Sequence, residues 1–160
     1  MLSARLIQLI ETHAASLTRG AMQDVLTNEH TKSFRRVSKG ELEPRIAAMY
    51  QNLSKWIENP DLEAVRREYE DWGRTRFHQG IPLSEIVYCV IVTKHHLRRF
   101  IHEHGLIAAS GDRVKGDEPM PIELYGLQEL NARVGEFFDR ALYHLVRGYE
   151  VAAKAAQVAA

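Results

Sequence analysis

The sequence predicts an all-α protein, and three observations carry that expectation. Apolar residues recur every three to four positions along almost the whole chain, the period of a helix with one buried face. No stretch sustains the apolar–polar alternation of a half-buried strand. The composition, 45% hydrophobic and 26% charged with five Pro and ten Gly, is that of an ordinary globular chain and excludes disorder or a collagen-like repeat. At 160 residues the expectation is a single domain over residues 1–160, a bundle of about five helices whose last residues, 150–160, form a tail or a linker to a partner.

The first helix places Leu2, Leu6, Leu9, Ile10 and His13 or Leu17 on one face, continued past Gly20 by Met22, Val25 and Leu26, and the polar stretch Thr27 to Lys32 ends it. Ser38 and Glu41 have capping-box spacing, and Pro44 fits an early turn of a second helix that carries Ile46, Met49, Tyr50, Leu53 and Ile57 inward. Asn59 and Pro60 stop that helix and start a third, with Leu62, Val65, Tyr69, Trp72 and Arg76 on its stripe. Gly80 closes the third helix and Pro82 opens the fourth, whose core face runs Leu83, Ile86, Val87, Val90, Ile91, Leu97 and Ile101. Periodicity then fails between Gly105 and Pro121, which reads as one long loop. The last helix carries Leu127, Leu130, Val134, Phe137, Phe138, Ala141, Leu145 and Tyr149 over about eight turns. A stripe of that length outruns a small bundle, so its end frays or pairs with a second copy, and Leu130, Val134, Phe137, Phe138, Ala141 and Leu145 are the expected dimer helix.

Several chemistries are excluded. Lys plus Arg (21) cancels Asp plus Glu (21), leaving no overall field for nucleic acid. Gly80 and the residues around it superficially resemble a helix-turn-helix, but the would-be recognition helix, Ile86 to Val92, is core material. No segment approaches the ~18 apolar residues of a membrane span, and Gln8, Glu11 and His13 interrupt any leader-like run, so the expectation is a cytoplasmic protein. The lone Cys89, inside an apolar run, reads as an inert buried thiol. Gly111 and Gly116 have the glycine spacing of a phosphate loop, but Asp117 and Glu118 follow where Lys and Ser or Thr are required. No nucleophile elbow exists, and an enzyme is not expected. Among the eight His, none stands four residues from another and none follows an acidic residue by three or four, so no metal or cofactor is expected.

The strongest charge cluster is Lys94, His95, His96, Arg98, Arg99, His102 and His104, offset only by Glu103, on the side of the fourth helix opposite Leu97 and Ile101. It suits an anion or an acidic partner surface and grows more cationic below about pH 6.5. His95 and His102 lie two turns apart on one face and carry the alternative reading, a small-ligand, haem or metal-binding sensor.

The segment Trp72 to Ile86, with Gly73, Arg76, Gln79, Gly80 and Ile81 in its turn, Leu83 and Glu85 opening an apolar helix, and Thr93 to Ile101 as that helix's basic end, resembles the helical N-terminal domain of the RsbR and RsbRD stress-signalling co-antagonists. Val134 to Ala141 resembles the last helix of such domains. The resemblance spans most of residues 5–150 and implies a non-catalytic sensory or regulatory domain, a helical bundle or globin-like fold. It further implies pairing as a homodimer and the passing of a signal to an attached or separate output protein. The sequence reaches Ala160 without a STAS, kinase or cyclase module, so action in trans or an output module beyond the last helix is expected. From the residues alone, Gly73 permits a close helix approach or a kink, Gly80 a left-handed cap, and Pro82 a helix restart. Arg76, on an inward stripe, is expected to bond free carbonyls at the helix junction or a carboxylate such as Glu85.

Overall fold

A computed structural model describes residues 2–110 and 121–160, and every regular element in them is helical. The first expected helix is two: α1 (Leu2–Thr12) and α2 (Ala14–Thr27) meet at a bend on His13. Hydrogen bonding runs through the bend, from the His13 N–H to the Leu9 carbonyl (3.0 Å) and from the Leu17 N–H to the His13 carbonyl (3.0 Å). The His13 Nδ1 also lies 2.8 Å from the Leu9 carbonyl, so ring and backbone compete for one acceptor, a local cause of helix distortion.

The polar stretch after α2 forms a 3₁₀ segment, Glu29–Arg36, rather than a simple helix end. Asn28 caps it by accepting from the His30 N–H at 2.9 Å, and the buried Thr31 hydroxyl donates to the Val25 carbonyl at 2.6 Å. The second expected helix is also divided, into α3 (Lys39–Gln51) and α4 (Leu53–Ile57). Asn52 breaks it: its side-chain amide donates to the Ala48 carbonyl (3.0 Å), the acceptor its own N–H also uses. The Glu11 carboxylate of α1 then takes the Ser54 N–H (2.8 Å) and hydroxyl (2.7 Å), satisfying a donor at the start of α4.

Helix α5 (Leu62–His78) is capped by Asp61, whose carboxylate accepts from the Ala64 N–H at 3.0 Å, and not by Asn59 with Pro60 in the first turn. Leu62, the first residue of α5, is 52% exposed. Helix α6 (Leu83–Ser110) continues well past the expected break at Gly105, and residues 111–120, the rest of the expected loop and its phosphate-loop-like glycines, lie outside the described residues.

Helix α7 (Pro121–Ala159) has 39 residues, on the order of 60 Å at 1.5 Å per residue, and stays helical through the Ala-rich end. It packs most extensively on α5 and also touches α6, α1 and α4. The α5–α7 crossing is a backbone contact made possible by two glycines. A Cβ on Gly73 would stand 2.1 Å from the Leu145 carbonyl oxygen, and one on Gly148 2.0 Å from the Glu70 carbonyl oxygen. Beside that crossing, Trp56 stacks on Phe137 and the Tyr69 ring meets Trp56, Trp72 and Phe137 edge-on. The α7 residues Leu130, Val134, Phe137, Phe138, Ala141 and Leu145 are all buried in this core. They fill the chain's own bundle. Among the described residues no helix is long and apolar enough to cross a membrane.

Candidate functional site

The α5–α6 turn is built from backbone chemistry. The Gly80 N–H bonds the Phe77 carbonyl (2.9 Å) and the Ile81 N–H the Arg76 carbonyl (3.1 Å), the paired bonds of a Schellman end, with Gly80 at φ +69° in the left-handed region. Ile81, the residue after the glycine, is buried in the core. The Pro82 carbonyl accepts from the Glu85 and Ile86 N–H groups (3.0 and 3.2 Å), starting α6 where proline has no donor to waste.

Arg76 is 5% exposed and ties α5 to α3. Its Nη1 donates to Glu41 Oε1 and to Gln79 Oε1, both at 2.7 Å, while Gln79 Nε2 donates to Glu41 Oε2 at 2.7 Å, closing a ring of three side chains. The guanidinium also stands 5.6 Å from the Phe34 ring centre. Its carboxylate partner is thus Glu41 and not Glu85. Glu85 is occupied elsewhere, accepting from the Ser33 N–H (2.7 Å) and hydroxyl (2.9 Å), which fastens the 3₁₀ segment to the start of α6. The same ring explains why the capping box at Ser38 does not form: Glu41 faces Arg76, and Ser38 makes no side-chain cap bond.

On α6 the basic face divides. Lys94 reaches Asp139 of α7 at 3.4 Å, and His96 Nε2 lies 3.1 Å from Asp24 of α2, so these two are interhelical ties. His95 accepts from Arg99 Nη2 at 3.1 Å, which places its ring proton on Nδ1 when neutral. Arg98, Arg99 and His102 are exposed, and neither arginine has a carboxylate within 4.0 Å among the described residues. His104 stacks on Phe100 at 4.1 Å, off the cluster. Among the described residues no group of three His, Cys, Asp or Glu side chains is arranged to hold a metal ion, so His95 and His102 gain no third ligand there.

Three contributors carry no local signal in the sequence: Glu41, Ser33 and Gly148 act on partners 35, 52 and about 78 residues away, the last a rough count across the α5–α7 crossing. Only Gly148, a small residue inside a long apolar stripe, leaves a trace that a search for close helix contacts would pick up. Burial pushes the Cys89 thiol up to about 12 against the opposing pull of Arg76, so it is protonated at neutral pH.

Against known families, the sequence profile described as the RsbT co-antagonist protein rsbRD N-terminal domain matches residues 15–157. Neither a curated protein nor a solved structure matches the chain.

Proposed function

Because the chain belongs to the RsbT co-antagonist protein rsbRD N-terminal domain family, a family of stress-signalling regulatory domains, we propose that it is a non-catalytic cytoplasmic module that works as a homodimer and signals through protein–protein contacts. The observation that carries this reading is the extent of the match, which takes in every helix from α2 to α7.

The partner surface in this reading is the exposed part of the α6 face, with Arg98, Arg99 and His102 free to meet acidic groups and Lys94 and His95 at its edge. The dimer surface is the outer side of α7. Tyr143, Val151 and Val158 are exposed (60%, 49% and 89%) and fall within a narrow arc of the helix. The output protein is attached or separate, and the family name points to RsbT as the protein restrained.

The test is co-purification of the chain with RsbT and its co-antagonists, wild type against the double variant Arg98→Glu/Arg99→Glu. The reading expects capture that weakens on charge reversal, with helicity unchanged. Equal capture by both proteins would remove α6 from the contact. The haem or metal alternative makes a separate prediction, a Soret band or bound metal lost on substituting His95 or His102.

A further inference from the structure

Helix α6 has a covered side and a bare one. Ile86, Val90, Thr93, Leu97 and Ile101 are buried against the bundle. On the bare side Val87, Tyr88, Ile91, His95, Arg98 and His102 fall within about 60° of one direction at 3.6 residues per turn. They form a ridge about 22 Å long at 1.5 Å per residue. Ile91, near its middle, is 47% exposed, with Val87 and Tyr88 half-buried before it and His95, Arg98 and His102 exposed after it.

The ridge changes chemistry halfway, from apolar to basic. The His30 ring of the 3₁₀ segment lies 4.8 Å from the Tyr88 ring and borders the apolar half. On one flank Lys94 is paired with Asp139 at 3.4 Å, so that acid is already answered. On the other, Arg99 Nη2 donates to His95, and neither Arg98 nor Arg99 has a carboxylate within 4.0 Å among the described residues. Glu103 lies about 120° round the helix from Ile91, off the ridge.

Resting on the reading of α6 as the partner surface, we propose that this ridge docks an amphipathic helix of the partner, antiparallel to α6. Its apolar side chains, at i and i+3 or i+4, lie on Val87, Tyr88 and Ile91, and acidic side chains of its first turns meet Arg98 and His102. Backbone chemistry sets the helix. An extended segment would bring unpaired N–H and C=O groups onto Val87 and Ile91, and the described residues offer no sheet edge to receive them. A helix arrives with those bonds made, and its side chains recur at the same pitch of about 5.4 Å as those of α6. Charge sets the direction. Acidic residues are favoured in the first turn of a helix, and the cations of α6 lie C-terminal to its exposed apolar residues, so acid meets base when the two helices run antiparallel.

The experiment is a fluorescence-anisotropy titration, at low salt, of the full chain into a labelled Ala-rich peptide of about 18 residues, long enough to be helical in water. The peptide carries Glu in its first turns and Leu at i, i+3 and i+4 spacing beyond them. Its controls are the same peptide with every Glu made Gln, the same peptide with every Leu made Ala, and phosphatidylglycerol vesicles. The expected result is saturable binding at micromolar to submillimolar chain, weakened about tenfold or more by either peptide change, by Ile91→Gln and by Arg98→Glu, with weaker adsorption to the vesicles. Ile91 and Arg98 are exposed, so both variants should fold, and thermal melts by circular dichroism check them. Binding that survives Leu→Ala or Ile91→Gln reduces the contact to charge alone, and binding that survives Glu→Gln or Arg98→Glu reduces it to apolar adhesion. Either result overturns the proposal, as does no saturable binding at millimolar chain or tighter binding to the vesicles. RsbT capture that Arg98→Glu/Arg99→Glu weakens, with no binding of the peptide, leaves the partner reading standing without the docked helix. Failed RsbT capture with saturable peptide binding leaves the docked helix standing with another partner.

Discussion

Arg76 shows how a single side chain holds a junction. Its charge is out of water, and the Glu41 carboxylate, reinforced by Gln79, is what makes that burial tolerable. Arg76→Leu should cost about 2–4 kcal/mol, read as a lower urea midpoint with an unchanged slope, since Glu41 is a third exposed and part of its desolvation is relieved by water. A loss under about 0.5 kcal/mol would show that the ring is ornamental. Asp24 gives a pH-dependent counterpart. Burial raises its pKa, but hydrogen bonds from Asn28 and His96 outweigh that, and the net value is below the ordinary 3.8. A lowered folded pKa means stability that is present above 3.8 and lost as the pH falls through the folded value. Thermal melts of Asp24→Asn should therefore fall less steeply than wild type as the pH drops below about 4. Parallel curves would contradict the role given to the Asp24–His96 tie.

At the scale of the element, the α5–α7 pair is set by glycine. Gly148→Ala and Gly73→Ala each push a methyl group into a facing backbone carbonyl, so the helices must separate, at about 2–4 kcal/mol apiece. Gly135→Ala is the internal control: a Cβ there meets nothing within 4 Å, and the substitution should stabilise by roughly 0.5–1 kcal/mol through helix propensity. Chemical denaturation of the three variants checks the set, and destabilisation by Gly135→Ala would undermine the packing account. The periodicity that revealed the α5, α6 and α7 stripes comes from burial itself, which is why these elements were legible. The bends at His13 and Asn52 were not, because each arises from a side chain that competes for a backbone carbonyl without any Pro or Gly to mark it. Leu62 matches the α5 stripe by spacing yet is half exposed, because it stands at the helix's first position, where the stripe runs out. The candidate site was legible only in its local parts. Gly80 and Pro82 sit in a turn whose chemistry is written in neighbouring residues, whereas Glu41 won over Glu85 as the partner of Arg76 through packing between α3 and α5 that no local spacing encodes.

For the whole molecule, the distribution of apolar surface decides what α7 can do. The stripe that reads as a dimer helix is consumed inside the bundle, leaving Tyr143, Val151 and Val158 outside and the helix beyond Ala152 largely exposed. The last two turns of α7 stand exposed, and a second copy along Tyr143, Val151 and Val158 would bury apolar surface there. In the proposed reading dimerisation lies on the outer side of α7 and partner recognition on α6, two faces that can be occupied together. The most direct measurement is native mass spectrometry of the protein across low to high micromolar concentration, wild type against Tyr143→Glu/Val151→Glu. The account predicts a dimer mass for the wild type and a folded monomer for the variant. A wild-type monomer persisting at high micromolar concentration would contradict it.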